Sequence, residues 1–360
     1  AVGDAFKKVG SIIDKGVAVP LTKVKAEMEN LNKEASKLVG SMMGVNFDLS
    51  FGSIVQHANK MSQLSAEMNK VTGAAGKLGP GLKAMRQEAD GLAVGFAEVT
   101  KFMGEVYTNM TAFGSLAPEI QGKFAGLAAR LDKLGISAAN TAKNLDIMTK
   151  GLGMTADQAI KTQMDIAKTA RSLGVAPAKM AADFAAAAPK LAAYGKEAFN
   201  QFRKLAGQAA ATGLEMNKLL DITAQFDTFE GAAEATAKLN AVMGTQLNSI
   251  DLLMASEGER IAMIKQGVEA TGKSWDSMDR WEKKALASAA GFQSVEEAGR
   301  MFGTSMEDMA EAEAAADPAL VAQEELNDAM RKGVDRATAF GAMLEGIRGK
   351  FAKAIMPLVN

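Results

Sequence analysis

Apolar residues recur at spacings of three and four along most of the chain, with Lys, Glu, Gln and Asn between them. Val24, Met28, Leu31, Ala35 and Leu38 form one such stripe. Ile54, Ala58, Met61, Leu64, Met68 and Val71 form a second, and Phe102, Val106, Met110 and Phe113 a third. This is the period of an amphipathic helix with one buried face. Met and Phe at these positions read as core, where the flexible thioether fills irregular gaps. One segment departs from the pattern. Val45-Asn46-Phe47-Asp48-Leu49-Ser50-Phe51 alternates apolar and polar residues, the period of a half-buried strand. A lone strand leaves backbone groups unpaired, so it needs a partner, which another chain could supply. The other reading is an extended loop in which Ser50 or Ser53 caps the next helix.

From about residue 118 the helical pattern is broken by glycines at 135, 153, 174, 195 and 213, spaced 18, 21, 21 and 18 residues apart. Glycine ends helices because it enters the left-handed region without a Cβ clash. New helix starts follow several of these stops. Thr155 and Gln158 have capping-box spacing, as do Ser294 and Glu297. Gly135-Ile136-Ser137 and Gly303-Thr304-Ser305 show the related stop and cap. A period of about 20 is one helix plus a turn, so two make a hairpin of about 40 residues. The expectation is an array of short antiparallel hairpins without sheet. Similarity between the units is weak, and no long heptad run predicts an extended coiled coil. The segment Ala181 to Pro189 is rich in Ala, which lets helices approach closely, and Pro189 must kink or restart its helix. Lys179, Asp183 and Lys190 argue against a membrane-spanning role for it.

Composition narrows the chemistry. The chain has 360 residues, a formal charge of −1, 35 Gly, 23 Met, one His and no Cys. Without Cys there are no disulfides, thiolate nucleophiles or Cys-based metal sites. A Ser–His–Asp triad could draw only on His57, which sits beside an apolar stripe and reads as a helix-surface or contact residue. No basic excess favours nucleic acid, and no apolar run reaches the ~20 residues of a membrane span. Residues 301–330 carry eight carboxylates and no Lys or Arg, followed by Arg331, Lys332, Arg336, Arg348, Lys350 and Lys353. Such runs are solvated faces or neighbours that pair; the sharper reading is a polarised surface for stacking subunits. The start at Ala1 and the apolar stop before Asn360 lead us to expect part of something longer.

Two phosphate motifs fail on context. Gly151-Leu152-Gly153-Met154-Thr155-Ala156 fits a dinucleotide fingerprint in letters, but the preceding residues read as helix where a strand is required. Around Gly76-Lys77, Leu78 stands where a hydroxyl should hold magnesium. The pairs Asp276/Asp279 and Glu307/Glu311 share helix faces without any further mark of acid–base work. Trp275 and Trp281 lie in a charged stretch. Either both rings pack on the helical core or one anchors a partner.

The words Leu219-Leu220-Asp221-Ile222-Thr223-Ala224-Gln225-Phe226-Asp227-Thr228-Phe229-Glu230-Gly231 and Leu239-Asn240-Ala241-Val242-Met243-Gly244-Thr245-Gln246-Leu247-Asn248-Ser249 come next to Glu257–Gln266, Ala290-Gly291 and Met301-Phe302-Gly303. Together they resemble the tail tape measure proteins of large tailed bacteriophages, especially contractile-tailed marine phages. The Leu-Gly-x-Ser/Thr units at 134–213 and the ending Phe351 to Leu358 look like the same family. The resemblance implies a virion structural protein in the tail tube lumen or at the baseplate hub, made in the host cytoplasm. Such proteins set tail length during assembly and leave with the DNA. Implied partners are tail tube and hub proteins, the host envelope during ejection, and further copies with three- or six-fold symmetry.

The expected organisation is all-α. Amphipathic helices over 1–72 offer intersubunit contact. A Gly/Pro linker follows over 73–81, a connecting helix over 82–117, the hairpin array over 118–317 and a helical segment over 318–360. Phe47, Phe51, Trp275 and Trp281 are the candidate partner-binding residues. No catalytic, cofactor or metal residue is expected. The other reading is a non-enzymatic helical scaffold that binds proteins through hairpin grooves; a membrane-perturbing helical protein ranks behind both.

Overall fold

Short helices with strong local stops dominate the described residues. The computed structural model describes residues 78–89 and 96–332 continuously, scattered positions between 26 and 73, and residue 345. Among the described residues there is no strand. Phe47, Phe51 and His57 lie outside the described residues, as does the alternating segment 45–51. Of the two N-terminal stripes, Met28 and Met68 are described, and both are buried. The chain divides into two compact units, one drawing on Ala1–Lys133 and Asp328–Asn360, the other on Leu134–Asn327.

In the first unit α1 (Gly79–Ala89), α2 (Phe96–Asn109) and α3 (Pro118–Asp132) pack on one another, with a 3-10 turn at Phe113–Ser115. The third apolar stripe faces inward: Phe102, Val106, Met110 and Phe113 are all buried. Two expectations are corrected here. Gly79, Pro80 and Gly81, read as the end of a linker, form the first turn of α1, since Pro suits that turn and its missing N–H costs nothing there. Within 82–117 the described residues form the rest of α1, then α2 and the 3-10 turn, and α2 ends at Asn109, short of the expected single helix. The helix pair α1–α3 is close enough to require glycine. A Cβ on Gly122 would lie 2.6 Å from the backbone nitrogen of Met85. Thus α3, expected to open the hairpin array, belongs with the helices before it.

The second unit contains α4 (Ala138–Asp146), continued by a π turn at Ile147–Gly151, then α5 (Ala156–Ser172), α6 (Pro177–Ala187) and α7 (Ala198–Thr212). After these come α8 (Met216–Ala224), α9 (Phe229–Met243), α10 (Ser249–Met254) and α11 (Glu257–Glu269). The series closes with α12 (Arg280–Ala289), α13 (Val295–Gly303), α14 (Met306–Ala315) and the start of α15 (Gln323–Lys332). The glycine stops act as read: Gly135, Gly153, Gly174 and Gly213 take positive φ, and so does Gly291 ahead of the Ser294 cap. Gly195 also does, but inside a 3-10 segment. Gly303 closes α13 without the left-handed turn. Thr155 and Gln158 form the full capping box, and Ser137 caps α4. Ser294 caps α13, but Glu297 reaches one residue further back, accepting from Gln293 N–H at 3.1 Å. The residues before Gly151 are helical, which removes the strand a dinucleotide fingerprint needs.

Packing in this unit joins helices far apart in sequence. The broadest contact sets α7 against α14. A Cβ on Gly207 would stand 2.6 Å from Glu313 Cα, so glycine is what lets the two backbones meet. Gln208 Nε2 then donates to Gly258 O at 2.8 Å and to Glu313 at 2.7 Å. Thr169 Oγ1 on α5 donates to Ala316 O just after α14 at 3.0 Å. The Ala-rich helix α6 ends at Ala187, ahead of Pro189. Its small surface admits buried Asn144, whose amide donates to Ala181 O at 3.0 Å. Phe184, Phe199 and Phe202 join α6 to α7 through edge and stacked contacts.

Candidate functional site

The two tryptophans are separated by a structural decision that begins at Gly272. Its φ of +77° turns the chain out of α11, a conformation cheap only for glycine. Ser274 caps a single 3-10 turn at Trp275–Ser277, buried Met278 anchors its end, and Asp279 opens α12. Asp279 accepts from the N–H groups of Trp281 and Glu282 at 2.7 and 2.9 Å. Glu282 returns the bond by accepting from Asp279 N–H at 2.9 Å, and also accepts from Lys273 Nζ at 2.7 Å. The Lys273 bond, followed by that from Asp279, holds the Glu282 carboxyl below its usual range.

Trp275 turns inward. Its ring stacks on Phe302 at 6.4 Å with planes 15° apart, and Phe292 meets Phe302 edge-on. Gly299 makes the room: a Cβ there would stand 3.1 Å from the indole. Lys283 Nζ lies 5.4 Å from the Trp275 ring centre. Beside this stack runs an open cleft of about 400 Å³, bounded by Val268, Glu269, Lys273, Trp275, Phe302 and Ser305.

Trp281 turns outward and is 70% exposed. The Arg280 guanidinium lies 5.5 Å from its ring centre and Lys284 Nζ 5.3 Å. Cations over an aromatic face are attracted by the ring quadrupole. The outcome is one packed ring and one presented ring, flanked by exposed positive charge. Local chain context treats both residues alike; the distinguishing partner, Phe302 over Gly299, lies more than twenty residues downstream.

A second groove, of about 500 Å³, lies between α5, α7 and the Pro318 turn. Lys161, Lys196 and Arg203 line it together with Asp165, Glu197 and Asp317. Arg203 pairs with Asp317 at 3.2 Å. Burial pushes the Asp165 carboxyl up, opposed by Lys168 and Lys161. Sequence reasoning passed over Asp165, and no motif around it signals this environment. A raised carboxyl is one part of a general acid, but the nearby Thr162 hydroxyl donates to Met154 Sδ at 3.7 Å and is not held by the carboxylate as a nucleophile would be. Among the described residues no group of three His, Asp or Glu side chains could hold a metal ion. None of the described helices is long and apolar enough to cross a membrane.

Residues 219–266 fold into a tied module that spans α8 to α11. Asn240 staples the α9–α10 loop: its side chain donates to Leu247 O at 2.9 Å and accepts from Leu247 N–H at 3.0 Å and Thr245 Oγ1 at 2.6 Å. Gly244, with φ of +74°, turns the chain at the same place. Buried Arg260 donates to Leu252 O, Leu253 O and Thr223 O at 2.8–3.0 Å, and to Asp227. Compared with protein-family models, curated proteins and solved structures, the chain matches none.

Proposed function

We propose that this chain is a non-enzymatic structural component of a phage tail, tape-measure-like, held in the tube lumen or at the baseplate hub. It sets tail length during assembly and is released when DNA is ejected. In this reading the helices over 118–317 work as an array of hairpins that opens during release, and residues 2–72 hold copies together in three- or six-fold symmetry. The resemblance over 219–266 is what carries the proposal. Within those words Asn240, Gly244 and Arg260 have structural work to do in loops and buried contacts. That suits a family signature written in architecture without catalytic groups. Short helices, soft Met packing and the lack of Cys suit a chain that must open locally at low cost and thread a narrow tube.

Deleting residues 226–255 in the particle-forming system tests this directly. The expected result is loss of tail assembly or of hub docking. Normal tails that eject normally would count against the proposal.

A second reading has one observation in its favour. Exposed Trp281, flanked by Arg280 and Lys284, suits a helical scaffold that binds a protein partner. It separates from the first by location: the scaffold would be a stable monomer in complexes outside any particle.

A further inference from the structure

The first turn of α12 and the outer face of α14 carry opposite charge at the same pitch. Arg280 and Lys284 flank the exposed Trp281 ring and stand one helical turn apart. Neither has a carboxylate at ion-pairing distance among the described residues, because Asp279 caps the helix and Glu282 is taken by Lys273. On α14, Glu307 and Glu311 also stand one turn apart, both exposed and neither in an ion pair among the described residues. Other carboxylates of this acidic run have partners: Asp317 pairs with Arg203, Glu325 with Arg171, and Glu313 accepts from Gln208. Helical spacing puts Ala310 and Ala314, both exposed, on the same face as the two free glutamates, with exposed Asp308 at the edge of that face. Side chains one turn apart lie about 6 Å from each other, so the two ion pairs can form together.

We propose that the first turn of α12 docks on the outer face of α14 in a second copy of this chain. Trp281 lies on Ala310 and Ala314, with Arg280 and Lys284 meeting Glu307 and Glu311. The chain's formal charge of −1 puts no bulk repulsion in the way. Donor and acceptor are different surfaces, so the contact is head-to-tail. Each bound copy still offers one free surface, and assembly runs to a ring or an open row. The inference does not rest on the tail reading and uses none of residues 2–72.

Sedimentation velocity of the full chain over a concentration series tests it. Self-association is expected, weakening as salt rises. Trp281→Ala should weaken it about 30-fold, the scale of an interface hot spot. The double reversals Arg280→Glu with Lys284→Glu, and Glu307→Lys with Glu311→Lys, should each abolish this step. An equimolar mixture of the two reversed chains should regain it, which a folding defect could not produce. A wild-type chain that stays monomeric at about millimolar concentration would overturn the inference. So would reversals that leave association unchanged, including the case in which the Trp281 patch binds vesicles of anionic lipid instead.

Discussion

Arg260 and Asp227 form an ion pair whose two members sit in different worlds: the guanidinium side chain is 7% exposed and the carboxylate 58%. The arginine is also the donor for three backbone carbonyls at the ends of α8 and α10. Replacing it leaves those acceptors buried and unpaired, so Arg260→Met should cost about 3–5 kcal/mol. Asp227→Ala leaves the carbonyl bonds in place and should cost under about 1 kcal/mol, as an exposed partner does. Urea unfolding of the two variants checks the ratio; equal losses would mean the carboxylate, and not the carbonyl set, holds the module.

Two glycines separate backbone conformation from helix approach. Gly153 has φ of +67° and nothing within 4 Å of an added Cβ, so Gly153→Ala should cost about 1 kcal/mol through the left-handed backbone alone. Gly207 is helical, and its added Cβ meets the α14 backbone at 2.6–2.8 Å. Gly207→Ala should cost about 2 kcal/mol or more by forcing α7 off α14, despite the better helix propensity of Ala. Thermal unfolding of both variants checks the order.

Alkaline stability should carry the mark of Tyr194. Burial, then a hydrogen bond to Glu257, pushes its hydroxyl up to about 12. The folded chain therefore favours the neutral phenol, and the stability this contributes is full below about pH 10 and lost as pH rises from about 10 to 12. Tyr194→Phe should flatten that loss. Ultraviolet titration should show one phenolate forming only near pH 12.

The acid side carries two opposite signs. Glu259 is held below its usual range by the Ser256 hydroxyl and then the Ser256 N–H, so its contribution is present above the ordinary glutamate pKa and lost as pH falls. Ser256→Ala should remove it, a change of under about 1 kcal/mol at so exposed a group. Asp165 is raised by burial, so its charged form weakens the fold as pH rises through its folded pKa. Asp165→Asn should stabilise the chain at neutral pH by a few tenths of a kcal/mol after solvent screening. A loss of stability there would show that the carboxylate is held by partners stronger than Lys168 and Lys161.

Features that depend on neighbours in sequence are legible before folding. The Thr155–Gln158 box, the Ser137 and Ser305 caps, the Gly213 stop and the stripe from Phe102 to Phe113 all follow from spacing within a turn or two. Features set by distant partners are not. The meeting of α7 and α14 depends on Gly207 and Glu313, more than one hundred residues apart, and no local period encodes it. The grouping of α3 with α1 turns on Gly122 against Met85 in the same way. Trp275 and Trp281 share one charged stretch, and the contact with Gly299 and Phe302 is what marks out the packed ring. The left-handed turns at Gly244 and Gly272 lie off the regular glycine spacing that runs from 135 to 213.

A cryo-EM map of the intact particle tests the central claim most directly. The account predicts helical density for this chain inside the tail tube or at the baseplate hub, in several copies, and its loss from particles that have ejected their DNA. Tails of normal length and composition that contain no copy of the chain at any stage would contradict it.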